Sequence, residues 1–419
     1  MNQIIVSKDQ KKLVGNISLP ASKSESNRAL MIKALCDEGI LIHNLSNAAD
    51  TQILNRCLRY IETCGVSGIP MIIDAKNAGT VYRFLTAYLA IRPGKWMLTG
   101  NERMQERPIK QLVQALHQIK ADISYLNKDG FPPLLISGSK LNGGRVELNS
   151  GISSQYITAL MLIAPLLTNG LELKLIGKLI SRPYIQMTIA IMKHFGVSVD
   201  YTDSLIKIHP QKYIPKEFTA SPDWSAASYW YEIAVLCDEV DLLIADLKED
   251  SLQGDSVLPE IYKEFGIKSV FTKKGLRLKK QATNLTYFEY DFVDCPDLAQ
   301  TVIATCVGLG IEGGFKGLQS LRIKETDRIE KLSDEIAVFG FAIEEVNSNL
   351  WKLVKKIDRT AASENHISKT YDDHRMAMCL APLSLVTPQM IIDDPMVVKK
   401  SYPTFWNDLE MVGFDLKKE

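Results

Sequence analysis

At 419 residues, with 46% hydrophobic and 23% charged residues, the chain is long enough to bury a large core and to form two or three domains of ordinary size. Lys plus Arg equals Asp plus Glu at 49 each, which excludes a general attraction to nucleic acid or anionic membrane and confines any anion site to a local cluster. The seven cysteines are scattered, with no CxxC pair and no His at zinc-like spacing, and read as reduced, mostly buried thiols.

Met1 to Val6 lacks the basic and apolar segments of a signal peptide and the Arg/Ser richness of a transit peptide, and nothing later is apolar for long enough to span a bilayer. A cytoplasmic location is expected. The first anion-binding pattern follows at Pro20 to Arg28, where Lys23, Ser24, Ser26 and Arg28 surround a helix start. Cations supply charge there, while hydroxyls and free N–H groups supply oriented bonds to a phosphate. The same serines suit N-caps equally well. The glycines of a Walker loop are missing.

Asn77-Ala78-Gly79-Thr80 opens a second helix, and Gly79 leaves room for a ligand against the backbone. Arg107 stands before a helix expected over Ile109 to Leu116, with Pro108 at its first position. Ser153-Ser154-Gln155 and Ser181-Arg182-Pro183-Tyr184 begin two more helices with side chains that either cap or hold a polyhydroxy ligand. Asp294 and Asp297 precede a helix over Leu298 to Val307, where each is a base or a cap. Lys324, Glu325 and Arg328 crowd the start of a helix whose apolar residues Ile329, Leu332, Ile336 and Phe339 keep helical spacing. Lys324 and Arg328, four apart, are expected to face one ligand from that helix. Asp372-Asp373-His374-Arg375 starts another, and Lys399-Lys400-Ser401-Tyr402-Pro403 follows. With no second His nearby, an anion site is favoured here over a metal.

Helical patterns end repeatedly at a Gly that feeds a strand pattern: Gly65, Gly196, Gly266, Gly340 and Gly413, with a glycine-free equivalent at Lys120-Ala121. The last four recur about every 70 to 74 residues. Six α/β units follow, with the one near residues 65–77 trimmed, and two domains of three units each is the economical arrangement.

In order along residues 15–405, the segments Ser-Lys-Ser-x-Ser-Asn-Arg, Asn-Ala-Gly-Thr, Glu-Arg-Pro, Ser-Ser-Gln-Tyr, Ser-x-Pro-Tyr, Lys-Glu-Thr-Asp-Arg, Asp-His-Arg-Met-Ala-Met and Lys-Ser-Tyr-Pro closely resemble the EPSP synthase family of enolpyruvyl transferases. The resemblance implies an α/β fold of two domains, each of three βαβαββ units in an inside-out α/β barrel. One domain, 1–20 with 223–419, would carry Asp297, Glu325, Arg328, Arg375 and Lys400. The inserted domain, 21–222, would carry Arg28, Gly79, Arg107, Ser153, Gln155 and Ser181, with the active site in the cleft between the two.

Transfer of the enolpyruvyl group of phosphoenolpyruvate to the 5-hydroxyl of shikimate 3-phosphate is the activity implied, by a monomer without metal or other cofactor. Shikimate 3-phosphate would be held by Lys23, Ser24, Arg28, Ser153, Ser154, Gln155, Ser181, Tyr184, Asp297 and Lys324. Phosphoenolpyruvate would meet Lys23, Gly79, Arg107, Gln155, Arg328, Arg375 and Lys400. Lys23, Asp297 and Glu325 would be catalytic. Glyphosate would compete for the phosphoenolpyruvate site, with a methyl at Gly79 expected to intrude on the longer inhibitor more than on the substrate. Phe84 and Ser320 depart from the common Pro and Asn at those places. Two rivals are a transferase acting on UDP-N-acetylglucosamine, which lacks the Ser-Lys-Ser motif, and a non-catalytic relative that binds a phosphorylated metabolite, which the presence of Lys23, Asp297 and Glu325 weighs against.

Overall fold

The computed structural model describes residues 3–36, 38–64, 68–149, 151, 153–177, 179–356 and 366–418. One local pattern recurs: strand, helix, strand, helix, hairpin. It is seen in Tyr287–Asp291, Ala299–Leu309, Glu312–Lys316, Arg328–Ile336, Phe341–Asn347 and Leu350–Lys355. The first two strands are parallel, with Tyr287 opposite Glu312, because a helical crossover joins them. The hairpin then folds back so that its second strand pairs antiparallel with the middle one, Phe315 opposite Trp351.

The two helices of a unit differ because their sequences do. Ala299–Leu309 buries every residue from Ala299 to Val307, as its largely apolar sequence allows, with Gln300, Thr301 and Thr305 buried among them. Arg328–Ile336 buries only Arg328, Ile329, Leu332, Glu335 and Ile336, one face at helical spacing. Strands such as Leu205–Ile208 alternate between buried and exposed positions. Apolar helices therefore form the interior, and the sheets lie outside them.

By its internal contacts the chain divides into Met1–Ala21 with Ser221–Glu419, and Ser22–Ala220. The first unit holds three four-stranded sheets of the same strand order. In one of them Lys12–Ile17 runs parallel to Glu239–Ala245, Val14 opposite Asp241, although the whole of Ser22–Ala220 separates them in sequence. In another the N-terminal strand Gln3–Ser7 takes the fourth place, between Met390–Asp393 and Asp415–Lys418. Ser22–Ala220 has two four-stranded sheets and, among the described residues, a pair: Phe218–Thr219 parallel to Ile42–His43. That pair is the trimmed unit. It keeps the helices Lys23–Leu35 and Ala49–Thr63 and lacks a described hairpin, since Met71–Asp74 already belongs to the next sheet and residues 65–67 lie outside the described residues.

The repeated glycines take the role their spacing suggests. Gly196, Gly266, Gly340 and Gly413 have φ of 83°, 78°, 80° and 86°, the left-handed conformation that closes a helix. Gly196 N–H donates to Lys193 O and Val197 N–H to Met192 O, and Gly413 and Phe414 bond Glu410 and Leu409 in the same way. Gly65 lies outside the described residues. Lys120 fills the sixth such position at φ 66°, with the same pair of bonds from Lys120 to His117 and from Ala121 to Leu116. An L-residue there is disfavoured by about 1 kcal/mol. Lys120→Gly should therefore raise unfolding stability by about 0.5–1 kcal/mol. Gly196→Ala, whose new methyl would also meet Ile214 Cδ1 at 2.5 Å, should lower it by about 1–2 kcal/mol. Chemical denaturation of the two variants checks both signs.

Candidate active site

Two sets of charged and hydroxyl groups stand out, each described within its own unit. In Ser22–Ala220, the helix Lys23–Leu35 is capped by Ser22, whose Oγ accepts from Glu25 N–H at 3.4 Å. Ser26 accepts from Ser46 N–H at 3.0 Å and so braces a loop. Capping thus explains Ser22, and leaves Lys23 and Ser24 in the first turn, with Lys23 Nζ 3.2 Å from Asp50 Oδ2.

Arg28 is buried one turn further on. Its guanidinium donates to Thr188 Oγ1 at 2.8 Å, Ser24 O at 2.9 Å, Tyr184 O at 3.2 Å and Thr158 Oγ1 at 3.4 Å. These bonds tie the helices Ser154–Ile163 and Arg182–His194 to Lys23–Leu35. Burial pushes Arg28 down to about 10, against the pull of Tyr184 and Glu25. The ring of Phe84 lies 5.9 Å from its guanidinium carbon, so Phe84 packs on this cation.

Gly79 begins the helix Gly79–Ile91 with no side-chain cap bond, so its first N–H groups are left to a loop or a ligand. A Cβ built on Gly79 would stand 2.7 Å from Nη2 of Arg107 and 2.7 Å from Nη1 of Arg83. Two buried guanidiniums thus press on one backbone position. Arg83 donates to Gly79 O at 3.1 Å and Pro108 O at 3.1 Å, and Tyr156 OH also donates to Pro108 O at 2.6 Å. The helix expected from Ile109 begins instead at Lys110, with Ile109 as its cap residue. Pro108 lies before the cap because its carbonyl serves Arg83 and Tyr156.

Ser153 is an N-cap, accepting from Gln155 N–H at 3.3 Å, while Gln155 Nε2 donates to Thr80 Oγ1 at 3.0 Å. Ser154 is buried in the first turn beside them. Ser181 has φ 53° and makes no cap bond, so the simple capping explanation fails for it.

In the other unit, Asp297 leaves a 3₁₀ turn, Pro296–Leu298, rather than capping the helix behind it. It accepts from Arg375 Nη2 at 2.9 Å and Arg328 Nη1 at 3.2 Å, and Lys324 Nζ lies at 3.5 Å. Burial would raise its pKa, but Arg375, Lys324 and Arg328 outweigh that and hold it well below the usual carboxylate range. Lys324 itself is lowered by burial against Asp297. Arg328 opens its helix behind the cap Asp327, and also bonds Glu325 Oε2 at 2.8 Å and Asp373 Oδ2 at 2.7 Å. Lys400 Nζ stands 3.3 Å from the other oxygen of Glu325.

Lys324 and Arg328 meet at Asp297, but not along one helix face as expected. Lys324 sits in extended backbone after the 3₁₀ turn Gln319–Ile323, and the chain turns between them. Arg83, Asp50, Asp255 and Asp373 were not singled out from sequence. Asp373 was inside a quoted motif, masked by its second role as N-cap to Arg375 N–H at 2.9 Å. Asp50 and Asp255 are single acids whose partners lie far off in sequence.

The chain matches the EPSP synthase (3-phosphoshikimate 1-carboxyvinyltransferase) family over residues 7–409. A Bacteroides fragilis protein named 3-phosphoshikimate 1-carboxyvinyltransferase is 46% identical over 407 residues, covering 97% of each chain. One of the same name from Histophilus somni is 32% identical, covering 96% of this chain and 97% of its own. The chain belongs to the EPSP synthase family. In fold it is similar to EPSP synthase from Acinetobacter baumannii, with TM-score 0.78, 18% identity and 100% of each chain covered. The enolpyruvyl transferase NikO from Streptomyces tendae shows the same fold at TM-score 0.74 and 13% identity, over 99% of this chain and 98% of its own. This is the two-domain inside-out α/β fold implied by the motifs, and no described helix is long and apolar enough to cross a membrane.

Near Asp297 and Arg375, Asp255 is buried and accepts a short hydrogen bond from Ser225 Oγ. Burial, reinforced by the charge of Asp297, pushes it up to about 7. Its folded-state value is above its unfolded one, so the folded state holds the extra proton, and stability falls as pH rises through the interval up to about 7. Asp255→Asn should remove that slope, gaining on the order of 2 kcal/mol over wild type between pH 5 and pH 8. Denaturation at the two pH values tests this, and an equal difference at both would show that Asp255 does not titrate there.

Proposed function

We propose that this chain transfers the enolpyruvyl group of phosphoenolpyruvate to the 5-hydroxyl of shikimate 3-phosphate, releasing phosphate. Family membership gives the reaction. The observation that ties it to these residues is that two carboxylates suited to proton transfer, Asp297 and Glu325, both bond one buried guanidinium, Arg328, at 3.2 and 2.8 Å. The naming of relatives at 46% and 32% identity favours this acceptor over UDP-N-acetylglucosamine.

In the reaction, the hydroxyl oxygen bonds C2 of phosphoenolpyruvate and loses its proton, while C3 gains one. The tetrahedral intermediate then breaks its C2–O bond to phosphate, and C3 gives a proton back. Glu325 exchanges the proton at C3, Asp297 takes the hydroxyl proton, and Lys23 assists while stabilising developing charge. Ionised at neutral pH by its cations, Asp297 is a weak base until those cations have something else to hold. Substrate phosphate and carboxylate groups do that. As Arg328, Arg375 and Lys324 turn to the substrates, their hold on Asp297 relaxes and its basicity rises.

Shikimate 3-phosphate is held by Lys23, Ser24, Arg28, Ser153, Ser154, Gln155, Ser181, Tyr184, Asp297 and Lys324, and phosphoenolpyruvate by Lys23, Gly79, Arg107, Gln155, Arg328, Arg375 and Lys400. The two sets of residues serve one reaction. Lys and Arg neutralise both substrates, so phosphate release should require both and be indifferent to added divalent metal. Glu325→Gln and Asp297→Ala should each lower kcat by about 10²–10⁴-fold with smaller changes in KM. A coupled phosphate assay decides. Release with UDP-N-acetylglucosamine in place of shikimate 3-phosphate would overturn the acceptor, and near-normal turnover in either variant would remove that residue from the chemistry.

Glyphosate should compete with phosphoenolpyruvate. A methyl at Gly79 meets Arg107 and Arg83 rather than open space, so it acts by displacing cations. Gly79→Ala should raise both KM for phosphoenolpyruvate and the glyphosate inhibition constant, the latter more, at a cost of about 1–3 kcal/mol from overpacking. Inhibition measured at several phosphoenolpyruvate concentrations tests the assignment, and constants unmoved by the methyl would place the pocket elsewhere.

A further inference from the structure

We infer that Tyr371 and Glu335 are a positioning pair that sets the angle at which Arg328 is presented to phosphoenolpyruvate. This rests on the reaction proposed above. Arg328 also bonds Asp297 and Glu325, but Asp373 grips it with both oxygens, Nε to Oδ2 at 2.7 Å and Nη2 to Oδ1 at 3.3 Å, so the orientation of that carboxylate helps to set the plane of the guanidinium. That carboxylate is in turn fixed by its backbone.

The backbone before Asp373 is unusual. Tyr371 and Asp372 have φ of 53° and 55°, two successive non-glycine residues in the left-handed region. Such a pair persists only where the surroundings over-determine it. Here the Tyr371 hydroxyl donates to Glu335 Oε1 at 2.8 Å, Thr370 N–H to Asp393 Oδ1 at 2.6 Å, and Asp373 N–H to Thr370 O at 2.9 Å. Burial and the neighbouring Glu335 carboxylate push the Tyr371 phenol up, so it remains the donor.

Glu335 lies on the helix that Arg328 opens, two turns along and on the same buried face, and only 4% of it is exposed. Its second oxygen faces His366 Nε2 at 3.3 Å, and the Lys331 ammonium lies 5.4 Å from the centre of the Tyr371 ring. The helix is therefore fastened to the Tyr371–Asp373 turn at two points: Arg328 to Asp373 at its start, and Glu335 to Tyr371 near its end. Core packing of Ile329, Leu332 and Ile336 seats the helix, and the two fastenings hold its polar groups against the turn, and with them the direction of Arg328.

The test is steady-state kinetics on the full chain for wild type, Tyr371→Phe, Glu335→Ala and Glu335→Gln, with calorimetric titration of phosphoenolpyruvate and melting temperatures for each. Tyr371→Phe and Glu335→Ala should raise KM and the dissociation constant for phosphoenolpyruvate roughly 5- to 10-fold, and KM for shikimate 3-phosphate less than about 2-fold. Glu335→Gln keeps an oxygen that accepts from Tyr371 and should stay within about 2-fold of wild type on every constant. Unchanged phosphoenolpyruvate constants in folded Tyr371→Phe or Glu335→Ala would overturn the inference, as would Glu335→Gln failing as badly as Glu335→Ala. If Tyr371→Phe does not fold, the two Glu335 variants carry the comparison. A wild type without turnover would defeat the proposed reaction, while the titration would still read the positioning of Arg328.

Discussion

Arg328 is 2% exposed and bonded to three carboxylates, Asp297, Glu325 and Asp373, and the rest of its unit is arranged to make that tolerable. Taking a guanidinium out of water costs several kcal/mol unless paired charges and hydrogen bonds replace the lost hydration. Each acid is in turn acceptable inside the protein because of the cation. Arg375, Lys324 and Lys400 extend the same bargain to Asp297 and Glu325. The cluster is thus a set of internal counter-ions, and in the proposed reaction a substrate anion would bind by displacing them, which would join binding to chemistry.

Such a cluster needs a scaffold that brings helix starts together, and the repeated unit supplies it. Ser22, Ser153, Asp223 and Asp373 close the starts of their own helices with side-chain bonds. The helices beginning at Gly79 and Arg182 have no such side-chain bond, and the residues at those starts, Gly79 and Ser181, are among those assigned to substrate. Ser153 combines a cap bond with an assigned substrate role, whereas Gly79 and Ser181 stand at helix starts that have no side-chain cap bond.

Much of this was legible in the sequence because it was written in local signals. The left-handed glycines, the apolar first helices and the charged helix starts each need only a few neighbouring residues to be read. Lys120 was found as a sixth helix end without its glycine because the units repeat. What was not legible depended on partners distant in the chain. Arg83 gained its place beside Arg107 from the packing of its helix against a loop, and Asp50 pairs with Lys23 across 27 residues. Pro108 has the residue type of a helix start, yet its carbonyl is claimed by Arg83 and Tyr156. Tertiary hydrogen bonds overrode a sound local rule.

The strand Gln3–Ser7 sits between Met390–Asp393 and Asp415–Lys418, so the beginning of the chain is held by its end. During synthesis the unit Ser22–Ala220 emerges whole and can close while later residues are still being added. The unit that contains both termini has no such option. Its first two strands must wait, edges unpaired, for partners that leave the ribosome more than two hundred residues later, and for Gln3–Ser7 completion comes only with the last strand. The inserted unit can thus complete its pairings from contiguous sequence, whereas the unit that carries the charged cluster around Arg328 depends on pairings between its two separate segments.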